Sequence, residues 1–177
     1  MREGYAAETL DWLGNGQIDI GVVYNPPQIT TLIVEKIADD TLHLVGAPGS
    51  LGLLPGSVFP ARMLGSLPLV LPPQPHRLRS LVDLAAREAH VELQTVVEAT
   101  GTLTVLELVR AGLGYTVLPS ILVEGEAQGG RLQSWPLTEP DIHPCLCIAT
   151  SMQRPQTEST RAVLKTIANI LRDRSRG

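Results

Sequence analysis

Leu108-Val109-Arg110-Ala111-Gly112-Leu113-Gly114-Tyr115-Thr116-Val117-Leu118-Pro119, residues 108–119, is the stretch on which the fold of this chain turns. Leu103, Leu106 and Val109, leading into it, recur at helical spacing, and Ala111-Gly112 closes that helix with a residue that tolerates positive φ. Tyr115 to Leu118 then reads as a strand, and Pro119-Ser120 opens another short helix. Gly112-Leu113-Gly114 has the look of a phosphate loop, but such a loop follows a strand and opens a helix. Here the order is reversed, so the glycines stop a helix.

Working outward towards the N-terminus, Thr100-Gly101-Thr102 leads into that helix and Val91 to Ala99 alternates as a strand does. Leu78, Leu81, Val82, Ala85 and Ala89 set a helix between His76 and His90. Leu67 to Leu71 is a short buried strand, which Pro72-Pro73-Gln74-Pro75 forbids from continuing. Ser50 to Ser66, with Pro55-Gly56 inside it, is loop-rich and reads as a crossover between lobes. Leu32 to Ala38 and Thr41 to Ala47 are strands joined tightly at Asp39-Asp40. Ile18 to Tyr24 is apolar enough to be buried on both sides apart from Asp19, and a helix with Leu10 and Leu13 inward stops ahead of it at Gly14-Asn15-Gly16.

In the other direction, Gly129-Gly130 turns the chain into residues 131–137, and Thr138 to Pro144 reads as a second crossover. Leu146 to Ala149 belongs to the last strand. Val163, Leu164, Ile167, Ile170 and Leu171 make the closing helix amphipathic, with Arg172, Arg174 and Arg176 at the negative end of its dipole. Strands alternating with helices predict an α/β fold with largely parallel sheets. Two crossovers predict two lobes, the first from residues 1–50 and 142–177 and the second from residues 51–141.

Composition removes several function classes. With 177 residues, 44% of them hydrophobic and 18% charged, the chain is globular rather than disordered. A net charge of −4 and a pI near 5.5 argue against a surface devoted to duplex DNA. No apolar run reaches membrane length and the start lacks the apolar core of a signal peptide, which places the protein in the cytoplasm. No G-x-S-x-G, H-E-x-x-H, Walker A or dinucleotide fingerprint can be assembled, and His43, His76, His90 and His143 share no spacing. The residues therefore predict no enzyme, no cofactor and no metal site. Cys145 and Cys147 point to one face of a strand, too close in sequence for an easy disulfide and too few for structural zinc. They read as reduced core thiols, with a redox or metal role as the alternative.

What remains is the set of strand ends, where open α/β sheets bind ligands and helix N-termini also point. Tyr24 and Asn25 close one strand. Pro72, Pro73, Gln74, His76 and Arg77 link a second to its helix, and Thr100, Gly101 and Thr102 link a third. An aromatic ring, an amide, a guanidinium and hydroxyls suit a small polar or anionic ligand. The alternative makes Thr100 or Thr102 a helix cap and Arg77 a solvated charge.

The phrase Leu13-Gly14-Asn15-Gly16-Gln17-Ile18-Asp19-Ile20-Gly21-Val22 resembles a stretch of the effector-binding domain of LysR-type transcriptional regulators. Leu42-His43-Leu44-Val45, Pro68-Leu69-Val70-Leu71 and Glu98-Ala99-Thr100 follow in the family's order, as do the opening stretch 108–119, Gly130-Arg131-Leu132 and Pro136-Leu137. The resemblance covers nearly the whole chain. It implies two α/β lobes like a type 2 periplasmic binding protein, with an effector in the cleft, and it carries Tyr24, Asn25, the 72–77 loop and Thr100 to Thr102 into the pocket. Family members open with a winged helix-turn-helix, a linker helix, and a strand and helix bearing a pocket Ser or Thr. None of these is found here, so the first lobe is expected to be incomplete. The resemblance further implies homo-oligomers through the effector domain, and DNA contact only through a helix-turn-helix absent from these residues. A stand-alone solute-binding protein of the same fold is the alternative, and would need an export signal.

Overall fold

The computed structural model describes residues 2, 4–54 and 56–175; Pro55 and Arg176, read above, lie outside the described residues. In chain order the elements are α1 (Ala6–Gly14), β1 (Ile20–Tyr24), β2 (Leu32–Asp39), β3 (Leu42–Gly46), β4 (Phe59–Pro60), a 3-10 helix (Ala61–Ser66), β5 (Pro68–Leu71), α2 (Arg77–Glu88), β6 (Gln94–Glu98), α3 (Thr102–Arg110), β7 (Thr116–Pro119), α4 (Ser120–Gln128), β8 (Gln133–Thr138), β9 (Cys145–Ser151) and α5 (Glu158–Arg174). They fall into two compact units, Met1–Asp40 with Cys145–Gly177, and Thr41–Pro144.

The first unit is a three-stranded sheet ordered β1-β9-β2. Both pairings are antiparallel, Val23 opposite Cys147 and Val34 opposite Ala149, so the expectation of largely parallel sheets fails here. The physical reason is the returning strand. β1 and β2 run the same way, but β9 comes back from the second unit, inserts between them and so opposes both. Leu10 and Leu13 of α1 pack with Val23, Leu32, Cys147 and Ala149 on one face. Ile37, Ile148 and Ala168 of α5 form the core on the other. The β1 residues are not buried on both sides as expected: Gly21 and Val23 are buried, whereas Val22 is 42% exposed. β1 is an edge strand, and one-sided cover gives alternation.

The second unit holds a β4-β8-β3-β7 sheet and a β5-β6 pair. β3 is antiparallel to β7 and β8, while β4–β8 and β5–β6 are parallel, so this unit is mixed. Val70 N–H donates to Tyr115 C=O at 2.7 Å and Tyr115 N–H to Pro68 C=O at 2.9 Å, joining the two pieces. Gly114 makes that junction possible, because a Cβ there would stand 2.5 Å from the Pro68 carbonyl oxygen. Trp135, Phe59, Leu44, Leu69, Leu71 and Val82 form one core cluster. Val45, Val70, Leu106, Val109 and Leu118 form a second. Gly112, at φ +79, stops α3 as read from the sequence.

Two readings of the connections are corrected. β2 and β3, tightly joined as expected, do not pair with each other; β3 bonds to β7 and β8, and the chain passes between units at Asp40–Thr41. Residues 50–66 are no crossover, since Phe59, Ala61 and Leu64 are buried in the second unit's core. The divides therefore fall at Asp40–Thr41 and Pro144–Cys145, not at 50/51 and 141/142. A link this short looks like a hairpin turn in sequence whether its strands share a sheet or enter two.

Candidate functional site

β5 and β6 are parallel neighbours, with Leu71 opposite Glu98, and Ala99 N–H donates to Leu71 C=O at 3.1 Å. The two segments that follow, residues 72–77 and 100–102, consequently leave the sheet side by side. Pro72 is buried and Pro73 half-buried, and Arg79 locks this edge. Its Nη1 donates to Pro72 C=O at 3.2 Å and to Glu98 at 3.2 Å, and its Nε to Asp83 at 2.9 Å. Sequence reasoning did not single out Arg79; the signal available was its spacing from Asp83, one helical turn on. Gln74 is held through its side-chain amide on the Asp83 carboxylate. His76 is the N-cap of α2, its Nδ1 accepting from Leu78 N–H at 3.1 Å. Burial holds its pKa below the ordinary imidazole value, which favours the neutral acceptor.

Arg77, by contrast, is exposed and its guanidinium makes no hydrogen bond among the described residues. The N-cap of α3 is Gly101, at φ +85, with no side chain to offer. Neither Thr100 nor Thr102 caps the helix, so the first amides of α3 are left for solvent or a ligand. Arg77, Thr100, Thr102 and these amides all follow the neighbouring ends of β5 and β6 in the second unit. Such a set suits an anion or a polar oxygen ligand.

Tyr24 and Asn25 stand together in the first unit and are engaged there. Tyr24 O–H donates to Asp40 Oδ2 at 2.6 Å, and burial first, then Asp40, pushes its pKa well above the ordinary phenol value. Asn25 adopts φ +43; its Oδ1 accepts from Cys145 N–H at 2.7 Å while its own N–H donates to Cys145 C=O at 2.9 Å. Asp40 is the last residue before the chain leaves this unit and Cys145 the first on its return. These two expected ligand residues thus tie down both passages.

The first unit also has a cavity of about 240 Å³, lined by residues that include Asp19, Thr150, Ser151, Arg154, Gln156 and Thr157. None of the expected site residues lines it. Thr157 Oγ1 caps α5 from Thr160 N–H at 3.1 Å, and Arg154 donates to Gly16 C=O at 2.9 Å. The last strand, expected to end at Ala149, runs on through Thr150 to Ser151 and so brings both into this lining. Among the described residues, no three His, Cys, Asp or Glu side chains are grouped to hold a metal ion.

A family model described as the LysR substrate binding domain matches residues 1–172. The chain belongs to this family. A curated relative, the HTH-type transcriptional regulator BbuR of Bordetella bronchiseptica, is 27% identical over 160 residues, which is 89% of this chain and 48% of that protein. The chain spans just under half the length of the curated relatives it matches. Among solved structures, the CcmR regulatory domain of Synechocystis PCC6803 in complex with 2-PG is similar at a TM-score of 0.77 and 16% identity, over 94% of this chain and 79% of that one. The effector-binding domain of QuiR in complex with shikimate is similar at 0.75 and 14% identity, over 93% and 77%. The fold is thus the α/β, periplasmic-binding-protein-like fold of LysR effector-binding domains, as the resemblance implied. The family is one of transcriptional regulators. No helix among the described residues is long and apolar enough to cross a membrane.

Proposed function

We propose that this chain is the small-molecule effector-sensing domain of a LysR-type transcriptional regulator working in the cytoplasm, with no catalytic role of its own. The family match over residues 1–172 carries the reading. The two units correspond to the two lobes of the effector domain, and DNA is contacted by a helix-turn-helix that is not among these residues. The effector is polar or anionic and is held where β5 and β6 end, by Arg77, Thr100, Thr102 and the first amides of α3. Pro72, Pro73, Gln74 and His76 shape that edge, Gly101 lets the backbone approach, and Tyr24 and Asn25 support the site by fixing Asp40 and Cys145. The similar structures of CcmR and QuiR hold small molecules, 2-PG and shikimate.

The domain also mediates homo-oligomers. β9 turns its Cys145, Cys147 and Ala149 backbone groups to β1 and its Ile148 and Thr150 groups to β2, so Ile20, Val22 and Tyr24 present theirs to an open edge. β2, the opposite edge, carries Glu35, Lys36 and a bulge, devices that discourage pairing; β1, Ile-Gly-Val-Val-Tyr, carries none.

Calorimetric titration with a panel of small carboxylates and phosphates tests the site. With a binding member of the panel, Arg77→Ala weakens affinity by about 1.5–3 kcal/mol, the worth of a hydrogen bond to a charged group. Thr102→Val costs about 0.5–1.5 kcal/mol, as for a neutral hydrogen bond. Parent-like binding by both variants would remove the effector from this edge.

A further inference from the structure

Cys145 and Cys147 lie on one face of β9 with their sulfurs 3.4 Å apart. Cys147 is 4% exposed and packs with Leu13, Val23 and Ala149, while Cys145, half-buried, packs at the margin of the same cluster. In the adjoining strand Lys36 stands opposite Cys147 and Asp39 opposite Cys145, and Lys36 pairs with Asp39 at 2.7 Å. Lys36 supplies a cation on the row of the buried thiol.

The spacing selects among the partners of two thiols. Residues two apart on a strand have Cα atoms roughly 6.6 Å apart, close to the ~6.8 Å upper limit for a disulfide. Direct S–S bonding would have to close the sulfurs from 3.4 Å to about 2.05 Å with the Cα atoms at the far end of the disulfide range, a strain that β9, paired on both sides, resists. A two-coordinate linear cation with metal–sulfur bonds near 2.3 Å needs sulfurs about 4.6 Å apart, too wide. Zinc requires ligands that are not grouped here among the described residues. A single centre that takes two sulfurs at an angle between a right angle and the tetrahedral value, with bonds of about 2.3 Å, holds them roughly 3.3–3.8 Å apart. The observed separation falls within that window.

We propose that Cys145 and Cys147 are a dithiol site for monosubstituted trivalent arsenicals, whose pyramidal centre takes two sulfurs and keeps one carbon substituent. In the binding step two S–H and two As–OH bonds break, two As–S bonds form and two waters leave. Arsenic remains trivalent, so no oxidant or reductant is needed. The site lies where the chain re-enters the first unit, since the Cys145 backbone is held by Asn25 through both its N–H and its C=O.

The test treats the folded chain with phenylarsine oxide, which hydrates to such an arsenical, and reads intact mass under native conditions. One adduct per chain is expected, with both thiols protected from maleimide. Excess 2-mercaptoethanol leaves it in place and 2,3-dimercaptopropanol removes it. Cys145→Ser and Cys147→Ser each weaken the adduct by at least about 100-fold, the gain expected when a second attachment is intramolecular. The reversal by dithiol alone needs no variant, so a folding defect in either serine protein does not obscure the result. Overturning outcomes are an adduct formed only by the urea-unfolded chain, an adduct stripped by the monothiol, or tight binding retained by Cys145→Ser.

Discussion

Replacing Asn25 separates its structural work from any contact with ligand. Its Oδ1 is the acceptor for a partly buried Cys145 N–H at 2.7 Å, and its backbone is left-handed at φ +43. Asn25→Gly keeps the backbone at ease but strands the Cys145 N–H, a loss of about 1–3 kcal/mol for an unsatisfied buried donor. Asn25→Ala loses the same acceptor and places a Cβ in a conformation costing roughly 1–2 kcal/mol, part of which is returned by the lower entropy of its unfolded chain. Alanine should therefore be the worse of the two by up to about 1.5 kcal/mol. Asn25→Asp retains an oxygen at that position and a residue that tolerates the left-handed region, and should remain within about 0.5 kcal/mol of the parent. Urea denaturation gives the stability order, and hydrogen exchange at the Cys145 amide reports the bond itself. Exchange as slow in Asn25→Gly as in the parent, with equal midpoints, would refute the claim that Asn25 anchors the returning strand.

Other consequences can be measured on the same protein. Burial and the neighbouring Cys145 push the Cys147 thiol up to about 12 from 9.0, so between those values the unfolded state has released a proton that the folded state keeps. Stability from this group is full below pH 9 and falls as pH rises, by at most about 1.4 kcal/mol per pH unit; urea midpoints that fall no more steeply for the parent than for Cys147→Ala over that range would contradict it. Gly114→Ala places its Cβ against the Pro68 carbonyl, strains the two hydrogen bonds joining β5 to Tyr115, and should cost about 2–3 kcal/mol; an unchanged thermal midpoint would show that β5 shifts freely. The open edge of β1 predicts dimers or larger species in sedimentation at about 10–100 μM, reduced by Val22→Lys; a clean monomer for the parent would count against the edge argument.

The sequence disclosed elements more readily than their partners. Helices α2, α3 and α5 were legible because apolar spacing and stop residues are local, and Gly112 could be read as a stop from its neighbours alone. The direction of β9 was not local. Nothing in Cys145–Ser151 records that it slides between β1 and β2, and the tight link at Asp39-Asp40 looks the same whether it turns a hairpin or carries the chain into another unit. The same distinction governs the site. Thr100, Thr102 and Arg77 are legible as strand-end donors; the cap that competed for the threonines goes to Gly101, while the exposure of Arg77 fits the solvated-charge alternative as well as a ligand contact. Tyr24 and Asn25 were singled out by the same rule, yet Asp40 and Cys145, far along the chain, claim their polar atoms.

A strand end supplies the position for a ligand contact; whether the side chain there is available depends on which distant residues reach it first. Arg79 shows the converse. It is part of a helix that was correctly expected, but its value lies in Pro72 and Glu98, which only the pairing of β5 with β6 brings within reach. With Arg79 holding the strand ends, Arg77 two residues earlier is released from structural duty. In the reading proposed above, Arg77 gives up no intramolecular hydrogen bond to meet an effector, so the cost of its binding is the ordering of its own exposed side chain rather than of the edge that Arg79 already holds.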